Sequence, residues 1–156
     1  MITKTVAFTG HRPQKLGGFN TPNKTFNWVM WQIDDAFAHL QPDKVISGMA
    51  LGVDQWAACF TVAFGIPLIA AVPCDNQQAM WGPRARKIYT ELLGLADEVI
   101  TVCPGPYAAW KMQKRNEWMV DHCDMLIAVW DGSSGGTGNC VRYAQKQGKP
   151  IYFIRP

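Results

Sequence analysis

Short apolar segments alternate with longer amphipathic segments from one end of the chain to the other. The apolar segments are rich in β-branched residues, and the run MLIAVW has no charged or strongly polar position. Strands of this composition are buried on both faces, which is typical of a parallel sheet with helices on each side. The pattern predicts strands at 5–9, 44–47, 67–72, 98–102, 125–130 and 151–154.

The intervening segments carry apolar residues at the three- and four-residue spacing of helices that pack one stripe on a core. The first helix is predicted to end near residue 40, with Asn23 or Thr25 capping its start. Further helices are predicted at about 53–64, 83–95, 109–122 and 139–147. This alternation has no linker and predicts one domain over residues 1–156. We expect an α/β protein, specifically a single-domain Rossmann-like three-layer sandwich with a mostly parallel sheet.

Composition and charge narrow the classes of protein. The 156 residues are 48% hydrophobic and 17% charged, which suits a compact core rather than disorder. The net charge of +3 comes without a run of Lys or Arg, so it disfavours a nucleic-acid partner and suits a pocket for phosphate. No apolar run approaches the roughly 20 residues that span a bilayer. We therefore expect a cytoplasmic protein with no membrane partner.

The cysteines and histidines give no sign of a metal site. The five cysteines are an odd number, lie far apart and form no CxxC pair, which favours reduced thiols. The three histidines do not recur four residues apart on one predicted helix. The sequence thus predicts neither a metal nor a resident cofactor.

Ligands of such sheets bind beyond the carboxyl ends of the strands. The loop after the first strand reads TGHRP, where Gly10 permits a sharp turn and His11 and Arg12 place polar groups over the strand end. The guanidinium of Arg12 suits a bidentate grip on phosphate or carboxylate. Alternatively, Arg12 pairs with an acidic surface residue.

The loop after the second strand reads SGMALGVD. Ser47, Gly48 and Gly52 precede a predicted helix that carries Asp54 near its start. Backbone N–H groups at a helix start attract anions, and glycines permit close approach. The alternative is a plain strand-to-helix turn in which Asp54 complements the helix dipole.

The segment WDGSSGGTGNCVRYA after the fifth strand is the most informative. A buried strand leads into four glycines, two serines and a threonine, followed at once by a helix. Such a loop presents several N–H donors and hydroxyls to a phosphate, although a mobile surface turn is the alternative. It lacks the Lys of a Walker A loop, which disfavours nucleotide hydrolysis of that type. The candidate ligand-binding residues here are Asp131, Gly132, Ser134, Gly135, Gly136, Thr137 and Asn139.

Other polar and aromatic residues are open to two interpretations. Glu117 and Asp121 lie on one helical face and include a candidate acid or base, or else they pair with Lys114 or Arg115. Basic residues of the predicted third and fourth helices either supply further positive charge near the loops or, for most of them, belong to solvated helix faces; they are Arg84, Arg86, Lys111, Lys114 and Arg115. The aromatic residues near these loops either stack on a base or belong to the core; they are Trp81, Tyr107, Trp110 and Trp118.

TGHRP, GMALGVD and DGSSGGT, in this order after strands one, two and five, resemble the SLOG superfamily over essentially the whole chain. That superfamily includes the Lonely-Guy phosphoribohydrolases and the DNA-processing protein A domain. The closest resemblance is to its small YpsA-like (DUF1273-type) branch, common in bacteria and phages. The resemblance implies a Rossmann-like fold and a ligand with a phosphorylated ribose.

The resemblance also implies roles for individual residues. Gly135, Gly136 and Thr137 would hold the phosphate, and Arg12 would complete the anion site. The sugar or base would be bordered by Ser47, Gly48, Gly52 and Asp54. Superfamily members often dimerise through helices beside the pocket, and the off-stripe Trp28 and Trp31 suit such a homodimer contact.

One departure from the family pattern bears on catalysis. The phosphoribohydrolases carry a Glu shortly after their glycine loop, whereas this chain has Asn139 and Cys140 there. Asn cannot ionise and cannot act as a general base, so Asp54 or Glu117 would have to replace the Glu. Three hypotheses remain: an enzyme that hydrolyses an N-glycosidic bond, a non-catalytic sensor or sequestering protein for a nucleotide signal such as an ADP-ribose derivative, and a nucleic-acid module.

Overall fold

The computed structural model describes residues 3–156, so the first two residues of the predicted domain lie outside the described residues. Within that range the chain alternates strands and helices throughout. The strands are β1 (Thr5–Gly10), β2 (Lys44–Ser47), β3 (Leu68–Val72), β4 (Glu98–Thr101), β5 (Met125–Val129) and β6 (Ile151–Ile154). The helices are α1 (Lys24–Leu40), α2 (Val53–Ala63), α3 (Pro83–Leu95), α4 (Ala109–Asp121) and α5 (Gly136–Lys146), with a short 3-10 helix at Pro13–Lys15 that the sequence did not predict.

The strands form one sheet in the order β4-β3-β2-β1-β5-β6. Every neighbouring pair of the described strands is parallel, which confirms the predicted α/β class. The chain starts at the centre of the sheet, proceeds outward to β4 and then crosses to β5 on the other side of β1. Gly10 pairs with Val129, so β1 and β5 end side by side.

The two faces of the sheet bury separate apolar clusters, as a three-layer sandwich requires. Val6 and Phe8 of β1 face a cluster that includes the buried stripes of α1, α2 and α3. Ala7, between them, faces the opposite cluster, which includes residues of α4 and α5. The alternation along β1 therefore explains why its residues are apolar on both faces.

The helix boundaries hold one correction and one decision between alternatives. The last helix begins at Gly136, three residues before the predicted start, because glycine has a low helix propensity and makes a first turn resemble a loop. At α1, the Oδ1 atom of Asn23 accepts a hydrogen bond from the N–H of Phe26 at 2.9 Å. Asn23, rather than Thr25, is therefore the cap.

Further observations concern a membrane span, a metal site, the cysteines and the predicted dimer contact. Within residues 3–156, no helix combines the length and apolar character that a bilayer crossing requires. Over the same range, no three His, Cys, Asp or Glu side chains gather as a metal site would need, and the five cysteines are free thiols. Trp28 and Trp31 are 39% and 64% exposed on α1, and their homodimer contact stays a prediction.

Gly52, the last residue of the loop between β2 and α2, packs against the loop after β1. Its φ of 95° is a conformation that favours glycine, and a Cβ there would lie 2.5 Å from the carbonyl oxygen of His11. The N–H of Val53 donates to that same oxygen at 3.3 Å. This contact fixes how the first two loops meet.

We expect Gly52→Ala to lower the free energy of unfolding by about 2–4 kcal/mol, because it combines backbone strain with overlap on a neighbouring backbone. The matched control is Gly94→Ala in α3, where an added Cβ meets nothing within 4 Å. We expect that variant to gain about 0.5–1 kcal/mol from better helix propensity. Urea unfolding measures both changes, and equal effects in the two variants would contradict the role of Gly52.

Candidate functional site

A cavity of about 570 Å³ opens at the carboxyl ends of β1 and β5. Its walls come from the loop after β1, the start of α2, the middle of α4 and the glycine-rich loop that leads into α5. The predicted site residues that line it are Gly10, His11, Arg12, Asp54, Ser134, Gly135, Gly136 and Thr137. The three loops identified in the sequence therefore meet at one place.

The glycine-rich loop is held by its own hydrogen bonds. The Oδ1 atom of Asp131 accepts from the N–H of Ser133 at 2.8 Å, and the indole N–H of Trp130 donates to the Ser133 carbonyl at 2.8 Å. Hydrogen bonds from Ser133 hold the pKa of Asp131 well below its usual range, with a smaller contribution from His11. The Nε2 atom of buried His11 lies 2.9 Å from Oδ1 of Asp131, which ties this loop to the loop after β1.

The start of α5 faces the cavity with its backbone donors open. Gly135, at a φ of 141°, precedes the helix, and no side chain of the described chain caps it. The N–H groups of the first helical turn, at residues 136–138, have no acceptor within the helix. Together with the helix dipole they give this end of the cavity a positive potential.

Cationic side chains add to that potential. Arg12, Lys15 and Arg115 all line the cavity. The Nζ atom of Lys15 donates to Oγ of Ser133 at 2.6 Å, so the short 3-10 helix closes one side of the glycine-rich loop. This convergence of positive groups suits an anionic ligand.

Asp54 and Arg115 are buried together behind Gly48. Arg115 is 4% exposed, and its Nη1 atom donates to the Gly48 carbonyl at 2.5 Å. Asp54 is 7% exposed, and its Oδ2 atom accepts from the N–H of Ala50 at 3.3 Å. A Cβ on Gly48 would lie 2.5 Å from Nη1 of Arg115 and 2.9 Å from Oδ2 of Asp54. The missing side chain at residue 48 therefore leaves space for both charged groups.

Burial and charge act in opposite directions on this carboxyl. Burial raises the pKa of Asp54, and the positive charge of Arg115 is the largest opposing influence, followed by the Ala50 N–H and Arg12. For Arg115 the directions are reversed: burial lowers its pKa, and the negative charge of Asp54 raises it. A carboxyl with a raised pKa inside a cleft is a candidate for proton transfer or for stabilising positive charge.

Some predicted residues support the cavity without lining it. Ser47 is buried, donates through Oγ to the Asp54 carbonyl at 2.7 Å and accepts from the N–H of Met49 at 3.1 Å. Gly52 and Gly48 stand behind the lining residues, and Asp131 and Gly132 form the turn that begins the glycine-rich loop.

Glu117 and Asn139 lie outside the cavity lining. The Oε1 atom of Glu117 is 3.7 Å from Nζ of Lys114, which is the surface pairing that the sequence allowed. Asn139 instead accepts a hydrogen bond through Oδ1 from Arg142. Of the two candidate carboxylates, the structure therefore brings only Asp54 to this cavity.

The aromatic candidates also lie elsewhere. Trp118 stacks on His122 with ring centroids 4.0 Å apart, and Trp81 packs edge-on against Tyr89. Tyr107 and Trp110 are exposed, at 64% and 60%. None of the four aromatic candidates belongs to the cavity lining.

The basic residues of α4 divide between the two interpretations that the sequence left open: Lys114 lies on a solvated face, whereas Arg115 and Lys111 do not. Both are buried, and Lys111 donates to the carbonyls of Pro104 and Pro106 at 3.1 and 2.7 Å. Arg115 and Asn116 continue the helix stripe that carries Met119, so a signal was present. The inward stripe becomes polar toward the carboxyl edge of the sheet, where polar groups meet a cavity instead of a core.

A comparison with protein families finds a match over nearly the whole chain. A model described as the YspA SLOG family matches residues 6–156. The chain belongs to that family. Among curated relatives of this YspA SLOG protein, the uncharacterised SPbeta prophage-derived protein YoqJ of Bacillus subtilis is 40% identical over 132 residues, which cover 72% of this chain and 77% of YoqJ. The UPF0398 protein YpsA of the same organism is 25% identical, and the match covers 97% of this chain and 92% of YpsA.

Solved structures place the same fold in other proteins. DNA processing protein A (DprA) of Streptococcus pneumoniae is similar with a TM-score of 0.72 at 17% identity, over 97% of this chain and 50% of that one. The single-stranded DNA-binding DprA of Helicobacter pylori has a TM-score of 0.67 at 20% identity, and the match covers 96% of this chain and 64% of that protein. A molybdenum cofactor binding protein of Rippkaea orientalis has a TM-score of 0.64 at 18% identity, and the match covers 100% of this chain and 78% of that protein. At these identities the likeness concerns the fold alone.

We expect Arg115→Met to raise the pKa of Asp54 further, because it removes the largest influence that opposes burial. The measurement is a pH titration of the Asp54 carboxyl carbon by NMR. Lys114→Met is the matched control, since Lys114 lies next in the chain and pairs at the surface with Glu117. An unchanged Asp54 titration in a folded Arg115→Met protein would contradict the coupling of the two groups.

Proposed function

We propose that residues 3–156 form a nucleotide-binding domain whose cavity takes a nucleotide, or a nucleotide-derived ligand, through its phosphorylated ribose. The observation that carries the proposal is the convergence of the uncapped start of α5 with Arg12, Lys15 and Arg115 on one cavity. Backbone N–H groups, a helix dipole and cationic side chains are the groups that hold phosphate in proteins.

The size of the cavity supports a ligand larger than phosphate. At about 570 Å³ it falls within the range of small-molecule sites. The phosphate would lie at residues 135–137, with the hydroxyls of Ser134 and Thr137 as further donors. The sugar would then lie toward Asp54, at the other wall of the same cavity.

The arrangement of cations also favours a small molecule over a nucleic acid. DprA of Helicobacter pylori binds single-stranded DNA, but its likeness to this chain is one of fold. The net charge is only +3, and the cations near the candidate site converge on a cavity. A strand binder instead needs positive charge along an extended track.

We expect ribose 5-phosphate to stabilise the protein against thermal unfolding, whereas ribose does not, because the cavity supplies its binding energy through phosphate contacts. Arg12→Gln should weaken ribose 5-phosphate binding by about fivefold through the loss of a charge-assisted hydrogen bond. Calorimetric titration measures the affinity.

Lys146→Gln serves as the matched control, because it removes one exposed positive charge from the far end of α5. Equal weakening in both variants would indicate only a general charge effect. Equal stabilisation by ribose and ribose 5-phosphate would contradict a phosphate site.

The same cavity supports hydrolysis of an N-glycosidic bond. In that reaction water adds to the anomeric carbon, the bond to the base breaks, and the base leaves with a proton. The carboxylate of Asp54 would stabilise the positive charge of the sugar and orient the water. Its raised pKa means that the carboxylate form accumulates as pH rises through that pKa, so base release should rise with pH in the acidic range.

A specific observation favours a second candidate, binding without turnover. The helix that follows the glycine-rich loop carries Asn139 near its start, and this amide is engaged with Arg142. The residues of α5 read GTGNCVRYAQK and include no carboxylate. The helix therefore lacks the Glu that the phosphoribohydrolases carry shortly after their glycine loop. In this candidate the protein senses or sequesters a nucleotide signal such as an ADP-ribose derivative.

A thermal-shift screen of nucleoside monophosphates, ADP-ribose and cyclic nucleotides, followed by mass spectrometry of each incubated ligand, decides between the two candidates. If a ligand loses its base, we expect Asp54→Asn to lower the rate at least about 100-fold, because an amide cannot supply the negative charge. The control Asp121→Asn should retain the rate, since Asp121 accepts a hydrogen bond from Tyr143 outside the cavity.

Full turnover by Asp54→Asn would exclude Asp54 as the catalytic carboxylate. A stabilising ligand recovered intact would support the sensor. No stabilisation by any phosphorylated compound would overturn the proposed pocket itself.

A further inference from the structure

A second cavity, of about 500 Å³, lies between the loop after β1 and the starts of α2 and α3. It is separated from the first cavity by the backbone of residues 11–13, which packs against Gly52. A Cβ on Gly52 would lie 2.5 Å from the His11 carbonyl oxygen and 3.1 Å from Cδ of Pro13. Arg12 lines the first cavity and Pro13 the second, so one tightly packed segment forms the wall between them.

Aromatic rings line this second cavity. Trp56 is half-buried and is held edge-on against Phe26, with ring centroids 4.8 Å apart and an interplanar angle of 82°. Phe19 is 60% exposed on the loop after β1 and lines the same cavity. A phenyl ring left open to solvent beside an indole offers a surface on which a planar ring can stack.

Gln55 supplies a polar group with a free acceptor. It is 7% exposed, lines the cavity, and donates through Nε2 to the Met49 carbonyl at 3.2 Å. That hydrogen bond fixes the orientation of the amide, and its Oε1 atom accepts no hydrogen bond from residues 3–156. An amide oxygen accepts up to two hydrogen bonds, so this acceptor is available to a ligand N–H that enters the cavity.

The start of α3 supplies a complementary charge. Gly82 has no side chain to cap the helix, and the N–H groups of Arg84 and Ala85 lie in its first turn, where they have no acceptor within the helix. Arg84 lines the cavity, and its guanidinium forms no ion pair or hydrogen bond with the described part of the chain. Together, these donors and this charge suit an anionic group beside the aromatic rings.

We propose that this cavity is a second ligand site, which binds a planar aromatic ring carrying both an N–H donor and an anionic group. The ring stacks against Trp56 and Phe19, the N–H donates to Oε1 of Gln55, and the anion pairs with Arg84 at the start of α3. The site is independent of the proposed phosphate site because its donors, rings and charge come from other residues.

The test uses indole-3-acetate, which has a planar ring, an N–H donor and a carboxylate, against its neutral analogue indole-3-acetamide. In ¹⁵N-labelled protein of 17.4 kDa, we expect indole-3-acetate to shift the amides of Arg84 and Ala85 and the indole N–H of Trp56. The amides of residues 133–138 should not shift. The neutral analogue should bind at least about threefold more weakly, because it loses one partly solvated ion pair.

Exposed variants keep the test independent of folding. Arg84→Gln and Phe19→Ala should each weaken binding about threefold or more, through loss of charge and of ring contact respectively. Arg86→Gln is the matched control: Arg86 is also exposed on α3 and does not line the cavity, so its affinity should be unchanged.

The proposal is overturned if no amide shifts at up to about 10 mM probe, a concentration that would detect even millimolar affinity. It is also overturned if the shifts fall at residues 133–138, or if Arg86→Gln weakens binding as much as Arg84→Gln. Because the shifts are mapped by residue, failure here leaves the phosphate site untouched, and failure of the phosphate site leaves this one untouched.

Discussion

The parallel pairing of β1 with β5 determines where this protein can hold a ligand. The two strands end together at Gly10 and Val129, and the N–H of His11 continues the pairing to the Val129 carbonyl at 3.2 Å. Beyond that point, the chain leaves β1 toward α1 on one face and leaves β5 toward α5 on the other. Because the two connections diverge, a crevice opens between them, and the cavity that α5 faces lies in it.

The charges around the crevice depend on that arrangement. The open N–H groups of α5 lie there because the helix starts where β5 ends, and Arg12 and Lys15 lie there because their loop follows β1. Asp54 and Arg115 come from α2 and α4, on opposite faces of the sheet, and meet behind Gly48 at its edge. Burial raises the pKa of Asp54 in spite of this neighbour, so the cost of removing the carboxylate from water exceeds the attraction of the guanidinium.

The loop after β1 serves both cavities. Its first residues, through Lys15, lie against the glycine-rich loop, and its later residues, from Phe19 onward, lie beside α2 and α3. Gly52 makes this possible, since its missing side chain admits the backbone of residues 11–13. The same close approach therefore separates the two cavities and gives each of them one of its walls.

The sequence by itself determined the sheet and the loops that matter. Continuous apolar strands between amphipathic helices required a parallel sheet, because strands buried on both faces have no polar side to expose. Parallel strands end at one edge, so TGHRP, SGMALGVD and DGSSGGT were expected to meet there, and they do. The sequence pattern predicted the start of α5 three residues too late, because the glycines of its first turn are poor helix formers and resemble the loop before them.

Only the tertiary structure decided which charged side chains face the cavity. Arg115, Glu117 and Lys114 look alike as polar residues of one helix, yet Arg115 is buried beside Asp54, while Glu117 and Lys114 pair at the surface. Periodicity marks a helix face, but it does not reveal whether that face meets an apolar core or a polar crevice. That distinction depends on where the helix crosses the edge of the sheet. It is therefore set by contacts between residues far apart in the chain, such as Arg115 with the carbonyl of Gly48.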